Sequence, residues 1–128
     1  MSKNESHTDD ELRMQMEDSL NEIISIIDEY NKAELTKQTG NLLNAYLQSL
    51  TTNLFYLEII RSDYHKRCEK LIFDLTRGDW TNAKATNRAN AEYPELYLLR
   101  RVMTSAYKVV ESIRTNISYI KQEMSNLS

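Results

Sequence analysis

The chain has 128 residues, a net charge of −3, 41% apolar and 27% charged residues. Two glycines and one proline supply too few turns for a sandwich or barrel, and the composition excludes a collagen-like or low-complexity chain. No apolar run approaches 18 residues, so no transmembrane helix is expected.

The expectation is a single all-α domain over residues 1–128. Residues 1–8 should be disordered. Thr8 to Glu11 has capping-box spacing, and Asp9, Asp10 and Glu11 suit the positive end of a helix dipole. A short acidic N-terminal helix follows over 9–35. Its apolar stripe is Leu12, Met16, Leu20, Ile23, Ile27 and Tyr30, widened by Ile24 and Ile26. Thr36 to Gly40 is a break, with Gly40 as a C-cap, a hinge or a kink in a continuous helix.

A long helix is expected over 40–78. Leu43, Leu47, Leu50, Leu54, Leu57, Arg61, Tyr64, Cys68, Leu71 and Leu75 recur in alternating steps of four and three. That is a heptad seam, which needs a partner helix. At 1.5 Å per residue it runs roughly 55 Å. Gly78 reads as a C′ residue. Residues 79–93 read as a loop, or as a short helix from Thr81 or Asn82, without a consistent apolar face. Pro94 opens a C-terminal helix over 94–125. Its ladder is Leu96, Leu99, Met103, Ala106, Val110, Ile113, Ile117, Ile120, Met124 and Leu127. The two seams should fold back as a long antiparallel, coiled-coil-like hairpin.

Arg61 interrupts the first seam. It reads as a register-fixing residue whose stem packs while its head reaches the edge. Leu42, Tyr46, Phe55, Tyr56, Ile59, Ile60, Ile72 and Phe73 lie off that seam, and Tyr97, Leu98, Val102 and Val109 lie off the other. A thin rod cannot bury both sides, so a homo-oligomer is expected.

Little catalytic chemistry is visible. His7 lies near the N-terminus and His65 on the long helix, with one cysteine, so no metal site is expected. No Gly-rich phosphate loop or nucleophile–base grouping is present. The expectation is no enzyme, no cofactor and no catalytic residue. The acidic start is unlike a signal peptide. A buried, inert Cys68 fits a reducing cytoplasm.

Charge is distributed unevenly. Residues 1–36 carry ten acids against three bases, and residues 37–128 nine acids against thirteen bases. Arg61, Lys66, Arg67, Lys70 and Arg77 crowd the second half of the long helix. Lys84 and Arg88 follow near the only tryptophan, Trp80, and a folded hairpin should bring Arg100 and Arg101 near Arg77 and Trp80. Cations track a phosphate backbone, and Trp80, Tyr93 or Tyr97 could stack on unpaired bases. A solvated basic face, interleaved with Asp63, Glu69 and Asp74, explains the same pattern without a ligand.

The acidic amphipathic start runs through Ile27-Asp28 to Lys32 and Leu35, and Asn41-Leu42-Leu43-Asn44-Ala45-Tyr46-Leu47 enters the long helix. His65-Lys66-Arg67 and Lys70 form a basic stretch, Phe73-Asp74-Leu75-Thr76-Arg77-Gly78 ends that helix, and Ser112 to Lys121 lies in the closing helix. In these segments the chain resembles the opening, basic stretch, helix end and closing helix of the UvsY-type phage recombination mediators, over nearly its whole length and in pattern more than in identities. The resemblance implies a non-enzymatic, helical, ring-forming homo-oligomer. Such a protein binds single-stranded DNA, displaces the single-strand-binding protein and loads a RecA-like recombinase in phage recombination and repair. It places DNA contacts at Lys66, Arg67 and Lys70, with His65 at the edge. With the residues read from charge, the candidate nucleic-acid surface is Lys66, Arg67, Lys70, Arg77, Trp80, Lys84 and Arg88. The resemblance places self-association from about Glu111, at Val110, Ile113, Ile117, Ile120 and Met124. Net acidity departs from a strong DNA binder unless the charges segregate.

Two other readings stay open. One is a coiled-coil scaffold or adaptor. The other is a small phage inhibitor of a host nucleic-acid-binding system, whose acidic first helix imitates DNA charge.

Overall fold

A computed structural model describes residues 9–33 and 39–127. The expected disorder of residues 1–8, the cap at Thr8, the helix end at Leu35 and most of the break from Thr36 lie outside these residues, as does the side chain of Leu127.

Among the described residues the fold is all-helical. Helix α1 spans Asp9–Lys32, α2 Gly40–Arg77, α3 Asn82–Glu92 and α4 Glu95–Leu127. No described helix is long and apolar enough to cross a membrane. Thr39, not Gly40, marks the entry to α2: its side chain accepts from the backbone N–H of Leu42 at 3.1 Å. No Gly or Pro then interrupts the helix before Gly78. Gly78 ends α2 without left-handed geometry, at φ −83°, by donating its N–H to the Leu75 carbonyl at 3.1 Å. The end is a tightened last turn rather than the αL cap that glycine suggested.

Helix α2 is the common partner of the other three. It runs antiparallel to α1, since Tyr46 near its start meets Tyr30 near the end of α1, and the Gln15–Ser19 stretch flanks Tyr56 to Ile60. It runs antiparallel to α4, since Tyr107 reaches Glu58 while Tyr64 meets Tyr93, just before α4. Helices α1 and α4 run parallel, tied by Arg13–Glu95 at one end and Tyr30–Ser112 at the other. The first helix therefore packs within its own chain, and the middle of the molecule is a three-helix body.

The core follows the apolar spacing of each helix. Leu12, Met16, Leu20, Ile23, Ile26 and Tyr30 of α1 meet Leu43, Leu50, Leu54, Leu57, Ile60 and Tyr64 of α2. Leu99, Met103, Ala106, Val110 and Ile113 of α4 complete it. Each large aliphatic side chain fully buried here contributes about 1.5–3 kcal/mol. The flanking isoleucines of α1 separate: Ile26 is buried and Ile24 is exposed. Val110 and Ile113, expected to serve self-association, are enclosed in this subunit core and offer no surface. Past Asn116, where α1 has ended, burial fades. Ile117 and Ile120 are half-buried, and Met124 is 68% exposed.

Polar contacts pin the two ends of α1. The Tyr30 and Ser112 hydroxyls share a hydrogen bond of 2.6 Å, and Asn116 Nδ2 donates to Tyr30 Oη at 2.8 Å. At the other end Arg13 Nη2 donates to Glu95 Oε2 at 3.3 Å, which raises the Arg13 pKa further. Glu95 also suits the positive end of the α4 dipole. Tyr30→Phe should cost about 1–2 kcal/mol, because it leaves Asn116 and Ser112 without their shared partner. Urea melts measure the loss, and hydrogen exchange should speed most in the last turns of α1.

Candidate nucleic-acid interface

The face of α2 turned away from the core has its own spacing. Phe55, Ile59, Ser62, Lys66, Lys70, Phe73 and Arg77 follow one another in steps of three or four, and all are exposed. Steps of that size place side chains on one helix face. Lys66 and Lys70 make no ion pair among the described residues. The Arg77 guanidinium lies 5.6 Å from the centroid of the Phe73 ring, and that ring is 58% exposed. This is cation–π distance, and it holds an aromatic and a cation together at the surface. The result is an outward stripe of three cations around one ring.

Arg67 does not join it. One residue beyond Lys66, it sits about 100° around the helix. Its Nε donates to Asp63 Oδ1 at 3.0 Å, and its side chain is only 22% exposed. Its charge is matched by Asp63 on its own helix. His65 lies at the margin of the stripe, exposed, with Nε2 3.9 Å from Glu69. Cys68 is buried, and burial, with Glu69 adding, pushes its thiol pKa up, away from a reactive thiolate.

Helix α3 carries the second group. The Thr81 hydroxyl caps it by accepting from the Lys84 N–H at 3.2 Å. Ala85 and Ala89, four apart, are fully buried, and α3 packs on α2. The Tyr64–Tyr93 ring contact, with centroids 6.2 Å apart, closes the same side. That pair of alanines is the apolar face the sequence seemed to lack; small side chains make it a close-approach face rather than a bulky one. The opposite face stays open. Trp80, Lys84, Asn87 and Arg88, with Asp79, line a groove of about 530 Å³. Arg88 also reaches Glu92 at 3.7 Å.

The expected basic surface is thus two patches. Lys66, Lys70 and Arg77 occupy the outer face of α2. Lys84 and Arg88 occupy the outer face of α3, with Trp80 in the turn before it, and α3 packs on the other side of α2. The patches approach each other in sequence at the Gly78 turn. Phe73 and Asn87 are the residues that charge reasoning passed over. The spacing Lys66, Lys70, Phe73, Arg77 was the available signal for the first.

Arg100 and Arg101 do not reach Arg77 and Trp80, because α3 takes up the space beyond the start of α4. Arg100 instead lines a groove with Glu58, Arg61 and Tyr107. Arg61 is half-buried and donates to Glu58 Oε2 at 3.1 Å through Nη2. The Tyr107 hydroxyl donates to Glu58 Oε1 at 3.4 Å, and its pKa is raised by burial first and by Glu58 second. Arg101 lies 5.8 Å from the Tyr97 ring centroid, on the α1–α4 side. Of the expected stacking residues, Tyr93 is half-buried against Tyr64, while Tyr97 and Trp80 are exposed.

Among the described residues no group of His, Cys, Asp and Glu is placed to hold a metal ion. Comparisons with protein-family models, curated proteins and solved structures find no match for this chain.

Proposed function

We propose that this protein is a non-enzymatic recombination mediator. It binds single-stranded DNA, takes the place of a single-strand-binding protein and helps load a RecA-like recombinase, in phage recombination and repair. The observation that supports this most is the outward stripe Lys66, Lys70, Phe73 and Arg77, which offers exposed cations, Lys66 and Lys70 without an ion pair among the described residues, beside an exposed ring. Cations give sequence-independent affinity for a phosphate backbone, and a ring gives a stacking surface for a base. The resemblance of the opening segment, the basic stretch and the closing helix to UvsY-type mediators supplies the recombinase and the single-strand-binding protein as partners.

The mediator acts as a homo-oligomer with coiled-coil-like heptad seams, because repeated weak contacts along one strand give avidity that a single stripe cannot. Exposed Phe55, Tyr56, Ile59, Tyr97 and Leu98 provide apolar area for assembly, with Ile117, Ile120 and Met124 beyond the end of α1. Light scattering at micromolar concentration should give a multiple of 15.0 kDa. A single 15.0 kDa species would contradict assembly.

The functional test is loading. On a strand already coated with single-strand-binding protein, the protein should shorten the lag of recombinase filament formation. An unchanged lag across a range of protein concentrations would count against the mediator role. A scaffold or adaptor reading draws on one different observation. Ile24, Ile27, Tyr97, Leu98 and Val102 line an open groove of about 510 Å³ between α1 and α4.

A further inference from the structure

The α3 groove has a composition that a patch for backbone charge does not require. Its wall is Trp80, whose side chain extends from the turn before α3 and remains 42% exposed. Lys84 and Arg88 follow at steps of four from Trp80, and Asn87 lies between them on the same face. Ala85 and Ala89 anchor the helix on α2 from behind, so this face stands on a fixed element. An indole, a carboxamide, two cations and the Asp79 carboxylate therefore converge on one open concavity of about 530 Å³, with Arg88 3.7 Å from Glu92 at its edge.

We propose that this groove is a pocket for one unpaired nucleobase, stacked on Trp80, with its edge read by Asn87 and its flanking phosphates held by Lys84 and Arg88. The inference rests on the strand-binding reading above and deepens it by naming where single strands are told from duplex. The chemistry of each group fits that role. A planar indole offers stacking to any base. A carboxamide presents a donor and an acceptor side by side, matching the hydrogen-bonding edge of a base. In a duplex each base is stacked and paired, so it can enter only after extrusion, which costs free energy. The α2 stripe depends on it less, because its cations meet phosphates of either form and only its Phe73 ring calls for an unpaired base. Backbone attraction thus belongs mainly to α2 and strand discrimination mainly to α3.

Trp80 is the only tryptophan in the chain, so its emission reports on the groove directly. The protein would be titrated with a single-stranded oligonucleotide, with the matching duplex, and with inorganic polyphosphate as a probe of charge alone. The single strand should quench Trp80 strongly, while duplex and polyphosphate, which reach only Lys84 and Arg88, should perturb its emission far less. Trp80→Ala should weaken single-strand binding, followed by anisotropy, about tenfold and leave duplex binding unaltered. Asn87→Ala should reduce the spread of affinities among homopolymer strands of different base. Lys66→Ala with Lys70→Ala should lower affinity yet keep the same quench at saturation. Equal quenching by polyphosphate, or undiminished single-strand affinity in Trp80→Ala, would overturn the pocket. Salt-sensitive strand binding with unmoved Trp80 emission would overturn the pocket and leave the mediator reading standing. Absence of any strand binding would overturn both.

Discussion

Leu57→Ala is expected to lower the free energy of unfolding by about 3 kcal/mol. Leu57 is 0% exposed and belongs to the core cluster built from α1, α2 and α4. Alanine there loses the transfer energy of three carbons and leaves a cavity. The cavity cannot close, because long antiparallel helices hold their spacing over many turns. The control lies two residues away. Phe55 is a larger apolar residue on the same helix but is 62% exposed. Phe55→Ala should change monomer stability by less than about 0.5 kcal/mol. Chemical denaturation of both variants checks the pair. Equal losses would mean that α2 faces the core with a different side.

The triple variant Lys66→Ala, Lys70→Ala and Arg77→Ala is expected to abolish most salt-dependent strand binding. Each cation that neutralises a phosphate of a single strand contributes about 0.7 to the log–log slope of affinity against salt. Removing three should flatten the slope by about 2 per subunit. Arg67→Ala is the contrasting test. Sequence places Arg67 beside Lys66 in the basic run, but its guanidinium is committed to Asp63 at 3.0 Å. Its loss should leave the slope nearly unchanged and should cost no more than the about 0–1 kcal/mol of a surface ion pair. A slope that falls as much for Arg67→Ala as for Lys66→Ala would move the interface to another face of α2.

The all-helical character was legible because its causes are local. Glycine and proline are scarce, and the apolar residues of α2 and α4 recur every three or four positions. Residues such as Leu50, Leu57, Leu99 and Ala106 are buried for the same reason that their spacing was visible. The docking of α1 along both partners was not legible. Its acidic composition does not say which surface it covers, and contacts such as Tyr30 with Ser112 join residues far apart in sequence. Helix α3 was half legible. A reading tuned to bulky residues misses a face made of Ala85 and Ala89. The candidate interface was legible in part, for the same local reason. Counting charges along the chain grouped Arg67 with Lys66, whereas a helix separates adjacent residues by about 100°. Arg100 and Arg101 fall elsewhere because α3 packs on α2 beyond the start of α4.

The most direct measurement is fluorescence anisotropy of a labelled single-stranded oligonucleotide across a salt series, with duplex of equal length beside it. Preferential single-strand binding that weakens steeply with salt is the predicted result, since three cations on α2 carry the backbone contacts and Trp80 adds a stacking site. No binding at low salt, or binding with no preference for the unpaired strand, would contradict a strand-binding mediator and leave a helical scaffold in its place.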